Sequence, residues 1–427
     1  MKKVFPCIFL LVFLLTGCSY KVLPEVGITE TMEFSDGYIF RSTTTKLYGI
    51  LSCDSDAPDE NQKKLTGEIR GVWLSYYEIN VADGRDTREK YASYMDSLCK
   101  KFISYGITDA FVQVRPYADA LYESSIYPTS VYAGVRQGEK LKFDPLEVIC
   151  QIMSAYGVRV HAWVNPYRVH NTADINELSS DNKARQWYSE DSSDDVAVVG
   201  GKIYFNPASQ KARQLIVDGA KEILENYPVA GIHIDDYFYP PDCGDFDLQQ
   251  YSDYLSSSGT LSLEDWRREN VNKLVLSVYK TVKSVSQDKI FSISPAGNIS
   301  NNYNNLYADV ALWCGGGYAD MIIPQIYFGF EHSTQPFDKC TANWYALKGE
   351  NVIMPVGLGV YKSGTEDSFA GEGSCEWQQN NDIITRQVEH IRNTGGDGFV
   401  IFSVRFFTDG SQSVKKEMDN LKNYLDS

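Results

Sequence analysis

Histidine is scarce in this chain, and its five copies are far apart. No two of them have the His-x-His or His-Glu-x-x-His spacing that presents ligands to a catalytic metal. The cysteines that follow Cys18 are odd in number and irregularly spaced, which excludes the paired framework typical of small disulfide-rich secreted domains. The sequence therefore predicts no resident metal and no other cofactor, with Cys99 and Cys150 as ordinary core residues.

A membrane-spanning apolar run is also missing, because the N-terminal apolar segment extends only from Val4 to Leu15. It follows a charged start at Lys2 and Lys3, a pattern typical of a signal peptide.

The end of this segment, Leu15-Thr16-Gly17-Cys18, resembles the bacterial lipobox, in which cleavage precedes a cysteine that then carries lipid. We therefore predict a lipoprotein signal peptide over residues 1–17, a lipid anchor at Cys18 with a tether over residues 18–66, and a folded domain over residues 67–427. The alternative is an ordinary secretory signal with an incidental Cys18. Both predict a domain outside the cytoplasm. The anchor further predicts a cell-envelope protein, lipid-anchored to the membrane on its extracytoplasmic side.

Positive charge is in short supply: 40 Lys and Arg residues face 56 Asp and Glu residues, for a net charge of −16. Phosphate backbones would repel such a chain, so nucleic acid is excluded as a partner. Aromatic residues, in contrast, make up 13% of the chain, including 29 Tyr. Their flat apolar faces and polar edges suit a sugar-binding cleft.

From residue 68 onward, short apolar runs alternate with longer amphipathic segments in eight strand and helix pairs. The expected strands are Arg70–Tyr76, Thr108–Arg115, Arg159–Asn165, Ala230–Asp235, Ile290–Ser294, Met321–Tyr327, Val352–Gly357 and Gly398–Arg405. This count predicts an α/β fold of the (β/α)₈ TIM-barrel type. A doubly wound sheet is disfavoured because the first strand is not followed by a phosphate-binding Gly-x-Gly-x-x-Gly.

Polar residues occupy alternate positions near the C-terminal ends of these strands. In the third strand, for example, His161, Trp163 and Asn165 alternate with apolar residues, and in the fourth His233 and Asp235 do so. The same pattern places Ser75 at the end of the first strand, Gln113 and Arg115 in the second, and Ser403 and Arg405 in the eighth. Since alternate side chains of a barrel strand point inward, a polar site is predicted at the C-terminal mouth.

Five ordered motifs end these strands: Gln113-Val-Arg-Pro116, His161-Ala-Trp-Val-Asn-Pro-Tyr-Arg168, Gly231-Ile-His-Ile-Asp-Asp-Tyr-Phe-Tyr-Pro240, Pro324-Gln-Ile-Tyr327 and Gly398-Phe-Val-Ile-Phe-Ser403. Together they resemble the bacterial glycosyl-hydrolase-like family ten domain over about residues 68–407. The resemblance implies a TIM barrel that hydrolyses glycosidic bonds of a polysaccharide, with a cell-wall, peptidoglycan-type glycan strand as the substrate class.

Glycoside hydrolysis needs one carboxylic acid and one carboxylate. Asp235 is the first candidate, because it ends the fourth strand and is expected to point inward; the alternatives are a helix cap and a strand-end ion pair with Arg115. Asp236 should face away from the barrel axis unless the chain turns there, and a buried pairing with Arg168 or Arg115 is an equal alternative for it. For the partner acid, the sequence leaves Asp119, Glu331 and Glu78 open.

Further side chains at the same strand ends have groups suited to sugar hydroxyls or ring faces. The predicted substrate-binding residues are Arg115, Trp163, Asn165, Tyr167, His233, Tyr237, Gln325 and Tyr327. Two other functions stay open. One is a non-catalytic glycan-binding lipoprotein on the same scaffold, and the other is a metal-dependent deacetylase, which would need ligand spacing that the sequence lacks.

We predict that Cys18→Ala abolishes attachment to the membrane, because the variant has no thiol for the lipid to modify. Detergent-phase partitioning of wild type and variant from the same cells measures this. An unchanged partition in the variant would rule out the anchor.

Overall fold

A computed structural model describes residues 67–427 apart from residues 83, 190–192, 241 and 409. The signal peptide, the anchor at Cys18 and the tether lie outside the described residues. No helix within the described part is long and apolar enough to cross a membrane.

The described chain alternates strands with helices. The strands are β1 (Ile69–Leu74), β2 (Asp109–Arg115), β3 (Arg159–Val164), β4 (Arg168–His170), β5 (Val196–Val199), β6 (Lys202–Phe205), β7 (Gly231–Ile234), β8 (Ile290–Ile293), β9 (Met321–Ile322), β10 (Val356–Leu358) and β11 (Gly398–Ile401). The helices are α1 (Arg88–Ser104), α2 (Pro145–Ala155), α3 (Lys183–Ser189), α4 (Gln210–Asn226), α5 (Leu248–Ser256), α6 (Leu263–Val285), α7 (Ile299–Asn305), α8 (Val310–Cys314), α9 (Phe337–Leu347), α10 (Glu376–Gln379), α11 (Ile383–Asn393), α12 (Arg405–Thr408) and α13 (Gln412–Asp426).

Eight parallel strands form one curved sheet in the order β10-β11-β1-β2-β3-β7-β8-β9. Its two ends are joined by the bridges Met321–Ile353 and Gln325–Gly357, and Gly357 N donates to Pro324 O at 2.9 Å. These contacts close the sheet, so the predicted TIM barrel is confirmed.

Helix boundaries follow the local signals in the sequence. Ser262 Oγ accepts from Asp265 N at 3.1 Å at the start of α6, as an N-cap does. Gly106 and Gly157 follow α1 and α2 with φ of +64° and +71°, a left-handed conformation that glycine adopts without a steric penalty. The eighth strand is shorter than predicted: it ends at Ile401, and Arg405 is an exposed residue that begins α12.

Two apolar clusters divide the barrel. The large one fills the space between strands and helices, whereas a smaller one inside the barrel includes Trp73, Phe111, Trp163 and Val400. The inner cluster occupies the predicted parity in β1, β2, β3, β8 and β9. The C-terminal end of the interior is left to polar groups.

Along β11 and its continuation the predicted parity was wrong. Val400 and Phe402 belong to the inner cluster, whereas Phe399 and Ile401 belong to the outer one. Ser403 does not line the cavity at the barrel mouth.

A three-stranded antiparallel sheet, in the order β4-β6-β5, follows β3 and was not predicted. Its β5–β6 hairpin turns at Gly200 and Gly201, whose φ values are +55° and +74°. Two glycines between short apolar runs are the usual signal for such a turn. The sheet carries Arg168, the first residue of β4, next to the barrel mouth.

Gly231 allows β7 and β8 to pair, because a Cβ at this position would lie 1.8 Å from Ile290 O. We expect Gly231→Ala to lower the free energy of unfolding by at least about 3 kcal/mol. At Gly315 an added Cβ would lie 3.3 Å from Leu312 O, so Gly315→Ala should cost less than about 1 kcal/mol. Urea unfolding of both variants measures the difference, and equal losses would contradict this account of the pairing.

Candidate active site

A cavity of about 360 Å³ opens at the C-terminal ends of the barrel strands. It contains two carboxyl groups, those of Asp235 and Asp236. Its lining consists of Trp73, Ser75, Tyr76, Tyr77, Gln113, Trp163, Arg168, Asp235, Asp236, Tyr237, Ser294, Gln325, Tyr327 and Phe402.

Asp235 lies immediately after β7, and its side chain points into the barrel, as strand parity predicted. Its Oδ2 accepts from Trp163 Nε1 at 3.1 Å and from Asn165 Nδ2 at 2.5 Å. Its Oδ1 accepts from Tyr237 N at 3.3 Å. Three donors therefore fix the carboxyl group and favour its ionised form.

The orientation of Asn165 is set by a chain of hydrogen bonds that begins at a backbone amide. Tyr76 N donates to Gln113 Oε1 at 3.2 Å, so Gln113 Nε2 is directed to Asn165 Oδ1 at 2.6 Å. Asn165 must then present its Nδ2 to Asp235. Because a backbone N–H can only donate, the direction of every bond in this chain is determined.

Asp236 reaches the same cavity because the chain leaves the strand direction after Ile234, where β7 ends. The sequence predicted an inward placement of Asp236 only on the condition of such a turn. The side chain of Asp236 is partly exposed. Gln325, from the segment after β9, acts to lower the pKa of Asp236, while Gln325 Nε2 donates to Ser294 O at 2.8 Å.

The carboxyl groups are held in an environment that disfavours two negative charges. Burial raises the pKa of Asp235 above its usual range and the Asp236 carboxyl raises it further, whereas the charge of Arg168 opposes the shift. Burial also raises the pKa of Asp236, against its backbone hydrogen bond, Gln325 and Arg168. The two groups thus retain a proton at a higher pH than ordinary aspartates do.

His233 lies below the cavity and is fully buried. Trp73 Nε1 donates to its Nε2 at 3.1 Å, so the imidazole proton is on Nδ1, which faces Ser292 Oγ at 2.8 Å. Burial, followed by the charge of nearby His161, holds the pKa of His233 well below its usual range. His233 is therefore a neutral part of the cavity floor and does not contact the open space.

Three predicted binding residues form the walls. Trp163 lies beside Asp235, Tyr237 is 47% exposed at the rim, and Tyr327 packs against the Phe402 ring at 5.9 Å between centroids. Gln325 also lines the cavity, whereas Asn165 acts from behind Asp235.

Arg115 was predicted to bind substrate, and the structure places it elsewhere. The β2–β3 register shifts between Gln113 and Arg115, and such an irregularity reverses which face a side chain occupies. The guanidinium lies 4.8 Å from the Tyr127 ring and donates to Tyr117 O and Pro166 O at 3.3 and 3.4 Å. It is buried in the layer outside the barrel.

Tyr167 and Asp119 also lie outside the cavity lining. Tyr167 is fully buried in the outer apolar cluster, because strand alternation no longer applies beyond the end of β3. Asp119 is buried where the loop after β2 folds onto residue 129, through the bridge Ala120–Thr129, and Gln137 Nε2 donates to its Oδ2 at 2.8 Å. Asp119 therefore does not share the cavity with Asp235 and Asp236.

The other two candidates for the partner acid are equally absent from the lining. Glu78 accepts from Ser75 N at 2.6 Å, from Arg405 N at 3.0 Å and from Ser403 Oγ, so it ties the segments after β1 and β11 together. Glu331 is exposed on the loop after β9. Asp235 and Asp236 are therefore the carboxyl groups that the cavity brings together.

The sequence analysis assigned no role in substrate binding to Arg168, which lines the cavity from β4. The residue is in a quoted motif, but it lies beyond the end of β3, where strand parity gives no information. Its placement depends on the unpredicted small sheet, in which Arg168 pairs with Tyr204 of β6.

No group of three or more His, Cys, Asp or Glu residues in the described chain is arranged to hold a metal ion. The six cysteines that the structure describes are free, and Cys99 and Cys150 are buried, as predicted for core residues.

The barrel and a carboxyl-containing cavity at its C-terminal mouth are the general arrangement of TIM-barrel glycoside hydrolases. The chain matches the family described as Glycosyl hydrolase-like 10 over residues 68–370 and belongs to that family.

Among curated relatives, the glycosyl hydrolase YngK of Bacillus subtilis is 32% identical over 323 residues, which cover 69% of this chain and 61% of the relative. The chain thus spans less than two thirds of that relative's length. The glycosyl hydrolase DigH of Escherichia coli K12 is 29% identical over 339 residues, with 72% of this chain and 76% of the relative covered.

Solved structures share the fold at low sequence identity. The PgaB (BpsB) glycoside hydrolase domain from Bordetella bronchiseptica has a TM-score of 0.53 at 11% identity, covering 83% of this chain and 99% of that domain. Alpha-L-fucosidase isoenzyme 2 from Paenibacillus thiaminolyticus has a TM-score of 0.51 at 12% identity, with 84% and 49% covered.

The raised pKa of Asp235 predicts a pH-dependent effect of Asp235→Asn on stability. Since the folded state binds this proton more tightly than the unfolded chain does, the carboxyl group destabilises the fold increasingly as pH rises from the usual aspartate range to neutrality. At pH 4 the melting temperature of the variant should be close to that of wild type. At pH 8 it should exceed that of wild type by on the order of 2 °C.

Asp109→Asn is the matched control. Although burial acts against it, hydrogen bonds from His161 and Arg159 hold the pKa of Asp109 below its usual range, so its removal should lower the melting temperature at pH 8. Calorimetry at both pH values tests the two signs. A lower melting temperature of Asp235→Asn at pH 8 than at pH 4, relative to wild type, would contradict the predicted effect.

Proposed function

We propose that this protein hydrolyses glycosidic bonds of a polysaccharide, with Asp235 and Asp236 as the acting carboxyl groups. The observation that carries the proposal is their shared position in one cavity at the barrel mouth. Both have raised pKa values, which is the condition for keeping a proton available near neutral pH.

The two carboxyl groups differ in their surroundings, and this suggests different roles. The pKa of Asp235 is raised to about 7 and that of Asp236 to about 6, so the pair holds one shared proton. A leaving oxygen at the more accessible Asp236 draws that proton there, and Asp236 protonates it as the C1–O bond breaks. Asp235, which accepts from three donors, is then charged and stabilises the positive charge that develops at the anomeric carbon. Water then adds to C1, and its proton returns to the carboxyl pair.

Aromatic walls support a sugar as the substrate. Trp163, Tyr237 and Tyr327 offer ring faces and polar edges around the carboxyl groups, and Gln325 supplies an amide for hydroxyl groups. This combination suits pyranose rings better than it suits a purely apolar ligand.

For the substrate class, we propose a cell-wall glycan of the peptidoglycan type. The substrate class that the strand-end motifs imply through their family resemblance supports this choice, as does the predicted export signal with the lipobox at Cys18. A protein anchored on the extracytoplasmic side of the membrane would meet such a glycan directly.

Asp235→Asn should lower turnover by about 10³-fold with substrate binding largely kept, because the amide removes the charge at the transition state but retains the shape. Asp236→Asn should also lose most turnover. The measurement is release of reducing ends from purified cell-wall and plant glycans, at a matched concentration of folded protein.

Asp119→Asn is the control, since it makes the same chemical change in a buried aspartate outside the cavity. Its turnover per folded molecule should match wild type. Normal turnover in a folded Asp235→Asn variant would overturn the assignment. Saturable glycan binding by wild type without any release would instead favour the non-catalytic glycan-binding protein.

A further inference from the structure

Arg168 presents a guanidinium group to the cavity beside the two aspartates. Tyr117 lies 4.7 Å from the guanidinium carbon on one side, and Tyr237 lies 4.8 Å from it, each measured to the ring centroid. Contacts of this kind fix the plane of a guanidinium and leave the edge with its N–H donors for other partners.

The polar contacts of this guanidinium are few. Within the described chain, Tyr117 Oη is its one hydrogen-bond acceptor, at 3.0 Å from Nη2, and no carboxylate oxygen of a described residue lies within ion-pair distance. Arg267 is a contrasting case, since it binds both oxygens of Asp247 at 2.9 and 2.5 Å. Arg115 also lacks a carboxylate, but it lies away from the cavity and donates to two backbone carbonyl oxygens. Arg168 therefore has donor capacity that the fold does not use.

A half-buried cation without a paired anion has lost part of its hydration without full compensation. The charge of Arg168 does act on Asp235 and Asp236 from a distance. Any positive charge at this position would have the same effect on the aspartates. It therefore does not explain why a planar guanidinium with unused N–H donors lines the cavity.

We propose that Arg168 is a specificity-determining residue that binds a carboxylate on a sugar ring of the substrate. The inference rests on the proposed function, because it identifies a charged group of the glycan that the same cavity accepts. A guanidinium fork and a carboxylate match in a two-point hydrogen bond. The chemistry is shared by two sources, a hexuronic acid and a sugar with a lactyl ether.

Binding to the full chain tests this with two acids and their uncharged counterparts. The probes are glucuronic acid and N-acetylmuramic acid, each compared with its own methyl amide, which keeps the size of the acid but removes its charge. Wild type should bind at least one acid about tenfold to a hundredfold more tightly than its amide. The acid that shows the preference identifies the source of the carboxylate.

Variants of Arg168 locate the preference. Arg168→Gln should reduce the acid-to-amide affinity ratio to about one, and Arg168→Lys should give an intermediate ratio, since it keeps the charge without the fork. Arg405→Gln is the control: it removes an exposed arginine outside the cavity lining and should leave the wild-type ratio unchanged.

Equal affinity of wild type for each acid and its amide would overturn the proposal, whatever the variants do. A preference that persists in Arg168→Gln would also overturn it. If Arg168→Gln does not fold, the acid-to-amide affinity ratio of Arg168→Lys is the deciding measurement. A ratio equal to that of wild type would contradict two-point binding by the guanidinium.

These results are separable from those for hydrolysis. An acid preference that depends on Arg168, in a protein that releases no reducing ends, would support this inference and contradict the proposed function. Release of reducing ends without any acid preference would do the reverse.

Discussion

The hydrogen-bond chain from Tyr76 N through Gln113 and Asn165 to Asp235 joins β1, β2, β3 and β7 at the barrel mouth. Each link crosses from one strand or its continuation to the next, and the first donor is a backbone amide whose role cannot reverse. The orientation of the candidate catalytic carboxyl group therefore depends on the register of four neighbouring strands. The pairing of β7 with β8 also requires Gly231 at the start of β7, because β8 lies too close to leave room for a side chain at this position.

The same arrangement of strands explains why two consecutive acidic residues, Asp235 and Asp236, line one cavity. β7 directs Asp235 inward, and the chain then turns so that Asp236 joins it. Burial acts against ionisation of both, whereas the donors around Asp235 and the charge of Arg168 act in favour. These opposing effects keep one proton within the pair. One carboxyl group can then act as the acid while the other, ionised, stabilises the positive charge of the transition state.

The count of eight strand and helix pairs was sufficient to predict the barrel, and alternation within the strands predicted the inward direction of Gln113, Trp163 and Asp235. The alternation failed at Arg115, where an irregularity in β2 reverses the face, and at Ser403, because Val400 and Phe402 are the residues that face the interior. Arg168 could not be located by this reasoning, because its position depends on a small sheet formed by residues far along the chain. Local periodicity thus predicts the residues within regular strands, but tertiary contacts decide those beyond the strand ends.

The most direct test is a crystal structure of Asp235→Asn with a bound oligosaccharide of the glycan that wild type cleaves. Our account predicts sugar rings on both sides of the carboxyl pair, with a glycosidic oxygen within hydrogen-bond distance of Asp236. An oligosaccharide bound elsewhere on the barrel, with no glycosidic oxygen near either position, would contradict it.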